Sequence, residues 1–273
     1  MAQSASFRMK RRFRTYGGRG LSTLMGGIRH PVFFMHLPKC GGTSVAEALY
    51  ATVPLQQRVG VIDANATRRA MAIYHDDVDA LDRQHDDLEN SKNVYDFRAQ
   101  MLINHMAWNT RMIHGHVLFS DRADKHFGAR YKYVTVLRDP IARVISNFAH
   151  SVQSGMITDD FDAYLDNAIS RAHGLTFLRY FSGTPVLSAA DEPAALKKSM
   201  ATLQKFAVIG FLDDLPRFAA DYKSVFGIRP RIPRYNQAQT AVKSVRDAQL
   251  ERLRAIMVHE IAFWDYARDF ANK

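Results

Sequence analysis

Short uninterrupted apolar runs, separated by segments of helical period, organise this chain. Val32-Phe33-Phe34-Met35-His36-Leu37 is one such run, opened by Pro31 and closed by Pro38. Its length and aromatic content predict a buried strand. Met112-Ile113-His114 predicts a second strand, Tyr131 to Leu137 a stronger third, and Ala207-Val208-Ile209 a short late one. Behind the first run, Val45, Ala48 and Leu49 recur at helical spacing, which predicts a helix from Ser44 to about Ala51. Asp139-Pro140 follows the third run; Asp caps helices and Pro suits the first helical position. Ile141, Val144, Ile145 and Phe148 then form one apolar stripe, with Arg143, Ser146, Asn147 and His150 on the opposite face. Residues 63–100 are polar and rich in Asp, and read as helical with exposed faces. Strands alternating with helices predict an α/β fold, a central and mostly parallel sheet flanked by helices. No repeat and no low-complexity block interrupts it. The loop from Gly183 to Pro193 separates too little to divide the chain, so residues 31–273 are expected to form a single domain.

Charge changes the picture only at the start. The formal net charge is +10, from 37 Lys and Arg against 27 Asp and Glu. Residues 1–30 hold seven of the basic groups (Arg8, Lys10, Arg11, Arg12, Arg14, Arg19 and Arg29) and no acid, which leaves 30 basic against 27 acidic residues elsewhere. The expectation is a basic, flexible tail over residues 1–30, solvated or in weak contact with an anionic surface, and no nucleic-acid partner. Lys10-Arg11-Arg12-Phe13 is faintly similar to a twin-arginine export signal, but Tyr16-Gly17-Gly18-Arg19-Gly20 follows in place of an apolar run, so no signal peptide is expected. No apolar stretch reaches the length of a membrane-spanning helix, about 18 residues or more. The single cysteine, Cys40, excludes an internal disulfide framework and a thiolate zinc cluster, and fits a reducing compartment.

The candidate chemistry concentrates at Pro38-Lys39-Cys40-Gly41-Gly42-Thr43-Ser44, between the first strand and its helix. Two glycines let backbone N–H groups approach a ligand, and the helix start is positive, so the turn suits an anion. Lys39 adds a point charge; Thr43 and Ser44 add hydroxyl donors. The order differs from the Walker A loop, in which Lys follows the glycines. Cys40 is either a nucleophile activated by the helix start or a small residue accommodated in the turn. A second anion site is expected where Arg138 ends the third strand and Ser146 lies on the helix behind it, because open parallel sheets bind ligands at their carboxyl ends.

Taken together, His36-Leu37-Pro38-Lys39-Cys40-Gly41-Gly42-Thr43-Ser44 and Arg138-Asp139-Pro140-Ile141-Ala142-Arg143-Val144-Ile145-Ser146 resemble the two phosphate motifs of the sulfotransferases that use 3′-phosphoadenosine 5′-phosphosulfate (PAPS). Ile113-His114-Gly115-His116-Val117 resembles the H-G-H segment of the uronyl 2-O-sulfotransferase branch, and the similarity runs on through Phe127-Gly128. Weaker likenesses are Val208-Ile209-Gly210-Phe211-Leu212 to the family's late strand and Asn236 to an Asn of its cofactor-covering loop. Residues 55–105 match nothing in the family's pattern.

The resemblance implies a P-loop-like sulfotransferase fold, and residues 31–273 as its catalytic domain. It implies sulfuryl transfer from PAPS, leaving adenosine 3′,5′-bisphosphate, to a hydroxyl of a glycan or glycoconjugate. It implies that Lys39 stabilises the departing 5′-phosphate, and that Cys40, Gly41, Gly42, Thr43 and Ser44 form the loop holding that phosphate. Arg138 and Ser146 would hold the 3′-phosphate, with His116 as general base, His114 as second choice, and no metal. Golgi members carry a membrane anchor and disulfides, so a cytoplasmic enzyme is expected here. Two other classes remain open at this point: a P-loop-like kinase or NTPase, and a non-catalytic nucleotide-binding protein.

Overall fold

A computed structural model describes residues 5–77, 88–233 and 245–272. Five strands, β1 (Val32–Met35), β2 (Val59–Ile62), β3 (Met112–Gly115), β4 (Lys132–Leu137) and β5 (Phe206–Phe211), form one sheet in the order β2-β3-β1-β4-β5. Every pairing is parallel, with Met35 in register with Gly115 on one side and Thr135 on the other. The α/β fold with a central parallel sheet is therefore present. All four residues of β1 are buried, as a continuous apolar run in the middle of a parallel sheet requires.

Side-chain alternation divides the core between the two faces of the sheet. Phe33, Ile113, Tyr133 and Phe206 point to one face and pack with Leu102 and Met106 of α4 (Leu88–Ala107), Phe177 and Phe181 of α9 (Thr176–Ser182) and Phe263 of α13 (Val258–Ala271). Phe34, Met112, Val134 and Val208 point to the other and pack with Val45 and Leu49 of α2 (Gly42–Tyr50) and Phe218, Tyr222 and Phe226 of α11 (Leu215–Phe226). A third cluster joins Val144 and Phe148 of α6 (Pro140–Gln153) to Phe161 and Tyr164 of α7 (Phe161–Asp166) and Leu253 of α12 (Asp247–Ile256). The apolar stripe read on α6 lies in that cluster, and Asp139 caps the helix by accepting from the Ala142 N–H at 2.8 Å. The polar stretch behind β2 forms α3 (Ala64–Tyr74) and α4, and α5 (Asp121–Phe127) separates β3 from β4.

Three features depart from the sequence reading. Strand β2 has no counterpart in it. Arg143, assigned by the helical wheel to the face opposite the apolar stripe, is fully buried. Within residues 1–30, read as a basic, flexible tail, a helix α1 spans Ala5–Leu24. Its far end is tied to the domain: Ser22 Oγ donates to Ala51 O at 2.6 Å, and the Arg19 guanidinium donates to the carbonyls of Val53, Pro54, Leu55 and Gln57 at 2.7–3.2 Å. One of the glycines of this segment explains the contact. A Cβ on Gly18 would stand 2.6 Å from that of Ala51, so only glycine lets the helix approach so closely.

Candidate active site

The anion-binding candidates converge because their strands are neighbours. β3, β1 and β4 lie side by side and parallel, so the histidine segment, the lysine loop and Arg138 all emerge at one edge of the sheet. The chain leaves β1 towards β2 on one side and later returns to β4 on the other. A switch of this kind opens a crevice at the carboxyl ends of the two strands.

The loop Leu37–Gly41 turns sharply into α2. Lys39 and Gly41 both have positive φ, 63° and 71°, and for a lysine that conformation is strained. A Cβ on Gly41 would stand 2.5 Å from Leu212 Cδ1, and one on Gly42 would stand 1.9 Å from the His36 ring. Gly41 occupies the N-cap of α2 without any side-chain cap, so the first turn keeps its donors for a ligand. Lys39 is held below the usual lysine range, by burial first and by the nearby Arg138 charge second. Arg138 reaches across from β4, and its Nη1 donates to Lys39 O at 3.1 Å. Cys40 points the other way. Its thiol lies in the core, 3.6 Å from Pro38 O, and burial pushes it up to about 12. A protonated buried thiol is no nucleophile, so the small-residue reading fits this position.

Ser146 is half-buried on α6. One turn further, His150 is held below the ordinary histidine range, by burial first and then by the Lys39 charge. Ser146 and His150 stand one turn apart on α6. Arg143, a member of the same motif, does not face the crevice. It donates to Glu260 Oε1 at 3.2 Å and to Thr176 Oγ1 at 2.8 Å.

Beside the loop, three imidazoles form a column. His36 stacks on Phe34 at 5.8 Å, and its ring centroid lies 4.3 Å from that of His116 and 5.8 Å from that of His114. His36 is held well below the histidine range, by desolvation first and by its two histidine neighbours next. His114 is lowered to about 4 by burial, and its Nδ1 is paired with the Tyr50 hydroxyl. His116 Nδ1 lies 2.7 Å from His36 O. A carbonyl can only accept, so Nδ1 carries the proton and the basic lone pair falls on Nε2. Behind His116, the buried Arg98 donates to its carbonyl at 3.1 Å, to Thr67 Oγ1 at 2.9 Å and to Ala64 O at 3.0 Å, fixing the chain after β3.

Nine of the ten sequence-derived residues, Lys39, Cys40, Gly41, Gly42, Thr43, Ser44, His114, His116 and Arg138, thus lie along this edge, with the Cys40 side chain turned inward, and the tenth, Ser146, lies on α6, the helix that follows Arg138. His36, Tyr50, Arg98, His150 and Glu260 extend the set. His36 sits inside the quoted loop motif and His150 on the polar face read for α6; Tyr50, Arg98 and Glu260 carry no local signal. Asn236 lies outside the described residues. The donor set, a lysine, an arginine, hydroxyls and an uncapped helix start, fits a ligand with two phosphate groups. No described helix is long and apolar enough to cross a membrane. A family model described as "Sulfotransferase family" matches residues 27–183. A comparison with curated proteins finds no match.

Proposed function

The chain belongs to the sulfotransferase family, and from that premise we propose that it moves a sulfuryl group from PAPS to a hydroxyl of a carbohydrate acceptor, with His116 as general base. The observation that carries the reading is the join between the two anion sites, Arg138 Nη1 on Lys39 O at 3.1 Å. It sets a guanidinium beside the lysine loop, where a nucleotide with separate 5′- and 3′-phosphates meets both. When bound, PAPS supplies the sulfuryl group and a phosphate leaving group.

Backbone N–H groups of Gly41, Gly42 and Thr43, with the Thr43 and Ser44 hydroxyls, hold the 5′-phosphate. Arg138 and Ser146 hold the 3′-phosphate. Lys39 places its ammonium where negative charge grows on the departing oxygen, and that differential stabilisation lowers the barrier. His116 takes the acceptor proton at Nε2 while the acceptor oxygen bonds to sulfur and the sulfur–oxygen bond to the 5′-phosphate breaks. His114 is the poorer base, because a group lowered to about 4 has little proton affinity near neutral pH. The H-G-H resemblance supports a uronic acid or related sugar as acceptor, and the lone, buried thiol of Cys40 fits a cytoplasmic setting.

The test is thermal stabilisation of the full chain by adenosine 3′,5′-bisphosphate against ATP with Mg²⁺, followed by labelled sulfate transfer across a panel of glycans. Stabilisation by the bisphosphate alone and transfer to at least one glycan are expected. Stabilisation by Mg-ATP alone, with no transfer, overturns the reading.

A further inference from the structure

The chain leaving β3 is bordered by a cluster that the proposed chemistry does not use. Arg98 of α4 donates to His116 O at 3.1 Å, and Tyr180 O of α9 accepts from the Phe119 N–H at 2.8 Å. Tyr95 of α4 joins the two helices. Its ring has the Arg98 guanidinium at 4.9 Å, the Arg179 guanidinium at 5.8 Å and the Tyr180 ring edge-on at 6.1 Å. Arg98 and Tyr180 are buried, whereas Tyr95 and Arg179 are half-buried. Solvent therefore reaches the cluster at one phenol and one guanidinium.

Charge balance shows what the cluster lacks. Two guanidiniums share one ring, and among the described residues neither has a carboxylate within ion-pair distance. Glu260 feels Arg179, but it is committed to Arg143 and to the α9 amides. Arg98 is committed to His116 O, Thr67 Oγ1 and Ala64 O. Arg179 gives Nε to Pro185 O at 2.6 Å and Nη1 to Ala172 O at 3.1 Å, which leaves Nη2 without a partner among the described residues. The Tyr180 hydroxyl is buried near the Tyr95 phenol and makes no hydrogen bond of good geometry. The unmatched cations act on Tyr95: burial pushes its phenol up, yet Arg179 first and Arg98 next hold it below the usual tyrosine range. A positive site with an unused guanidinium N–H and two phenols fits an oxyanion.

Topology assigns that oxyanion to one reactant. The lysine loop leaves β1 and Arg138 leaves β4, whereas this cluster borders the chain leaving β3, on the other side of β1. The proposed places for both donor phosphates lie on the β1–β4 side, so an anion bound here belongs to the acceptor. Tyr95 and Arg98 also fall within residues 55–105, the stretch without a counterpart in the family's pattern. We propose that Arg179 and Tyr95, backed by Arg98 and Tyr180, form a subsite for a carboxylate or sulfate ester of an anionic acceptor glycan. The inference rests on the sulfotransferase reading in one respect, that the ligand is an acceptor. Arg98 ties the subsite to the segment that carries His116.

The experiment is calorimetric titration of the full chain with three hexasaccharides: hyaluronan, its carboxyl-reduced form, and a sulfated maltohexaose. Adenosine 3′,5′-bisphosphate is titrated beside them. The set is repeated for Arg179→Gln, Tyr95→Phe and, as a control for bulk charge, Lys197→Gln, exposed on α10 (Glu192–Leu203). At least one anionic hexasaccharide should bind about ten-fold or more tighter than the reduced one, the scale of a charge-assisted hydrogen bond. Which of the two gains tells carboxylate from sulfate ester. Arg179→Gln should cancel the preference, Tyr95→Phe should lower it about three-fold or more, and Lys197→Gln should keep it. Equal affinity for all three sugars, or no binding of either anionic one, overturns the proposal. So does a preference that survives Arg179→Gln, or one that Lys197→Gln lowers as much. Should Arg179→Gln fail to fold, Tyr95→Phe decides, and an unchanged preference there overturns the subsite. Bisphosphate binding without any anion preference overturns the subsite alone. An Arg179-dependent preference without bisphosphate binding keeps the subsite and overturns the donor assignment.

Discussion

The Arg143 guanidinium and the Glu260 carboxylate meet at 3.2 Å with neither side chain exposed to solvent. Glu260 also accepts from the Phe177 and Leu178 N–H groups at 2.7 and 3.0 Å, so one carboxylate caps α9 and holds α6 at once. Burial pushes this carboxyl up to about 7 against the opposing pull of Arg143 and the two backbone donors. Glu260 lies on α13, beyond the segment matched by the family model, while α6 carries Ser146. Helix α13 thereby fixes the element that carries Ser146.

Removing one member of such a pair strands the other as an uncompensated buried charge, at a cost of about 3–5 kcal/mol. Glu260→Ala should lower the unfolding midpoint strongly. Glu260→Gln should lose less, because an amide oxygen still accepts from one of the α9 donors. Unfolding curves of the two variants check this ordering, and an unchanged midpoint in Glu260→Ala would contradict the structural role.

Arg138→Ala should weaken adenosine 3′,5′-bisphosphate binding by about ten-fold or more, the scale of a lost charge-assisted hydrogen bond. A nucleotide bearing only a 5′-phosphate should lose a few-fold at most, through the released Lys39 carbonyl. Calorimetric titration with both nucleotides separates the cases. Equal losses would place Arg138 in the loop scaffold and not at the 3′-phosphate.

Lys39→Ala should lower turnover by about 100-fold or more, the scale of a missing donor to charge that develops in the transition state. Bisphosphate affinity should fall much less. Turnover within a few-fold of wild type would reduce the lysine to an electrostatic anchor.

The His114 environment makes a pH prediction. The folded protein resists protonating this ring until about 4, whereas an unperturbed histidine titrates at 6.5. The unfolded chain therefore binds the extra proton first. The contribution of neutral His114 is full above about 6.5 and is lost as pH falls towards 4. At about 1.4 kcal/mol per pH unit the loss reaches roughly 3 kcal/mol. His114→Gln should flatten the acid side of the stability profile in urea. A variant that loses stability in parallel with wild type between these pH values would show that His114 is not the group responsible.

Much of this architecture is legible in the sequence where one physical cue dominates. β1 is an uninterrupted apolar run, β4 is rich in aromatic and β-branched residues, and Asp139-Pro140 marks the start of α6 by cap chemistry alone. β2 escapes because Val59-Gly60-Val61-Ile62 is short, contains a glycine and leaves Val61 49% exposed at the sheet edge. α1 escapes because Gly17, Gly18 and Gly20 lower helix propensity, while the contact that uses Gly18 lies on Ala51. Arg143 is misplaced because a helical wheel sorts residues by polarity, and the carboxylate that permits its burial is 117 positions away. The candidate anion-site residues are legible because their chemistry is local to two turns. Tyr50 and Arg98 act on the histidine segment, and Glu260 on α6, from elsewhere in the chain.

His116 is the residue on which the proposed chemistry turns. Its Nδ1 is committed to His36 O at 2.7 Å, which directs the basic lone pair to Nε2. General-base catalysis contributes about 100- to 10,000-fold, so His116→Ala should lose activity on that scale. It should still bind adenosine 3′,5′-bisphosphate, because the base touches the acceptor and not the nucleotide. Part of the loss should return with added imidazole, which can enter the space the ring vacates. His114→Ala should behave differently: its ring is paired with Tyr50 and stacks near His36, so its removal should lower the unfolding midpoint more than the transfer rate of the folded fraction. Measuring transfer, bisphosphate affinity and unfolding on both variants separates the two roles. An inactive, bisphosphate-binding His114→Ala beside an active His116→Ala would reverse them, and full activity in both would move the base out of the histidine column altogether.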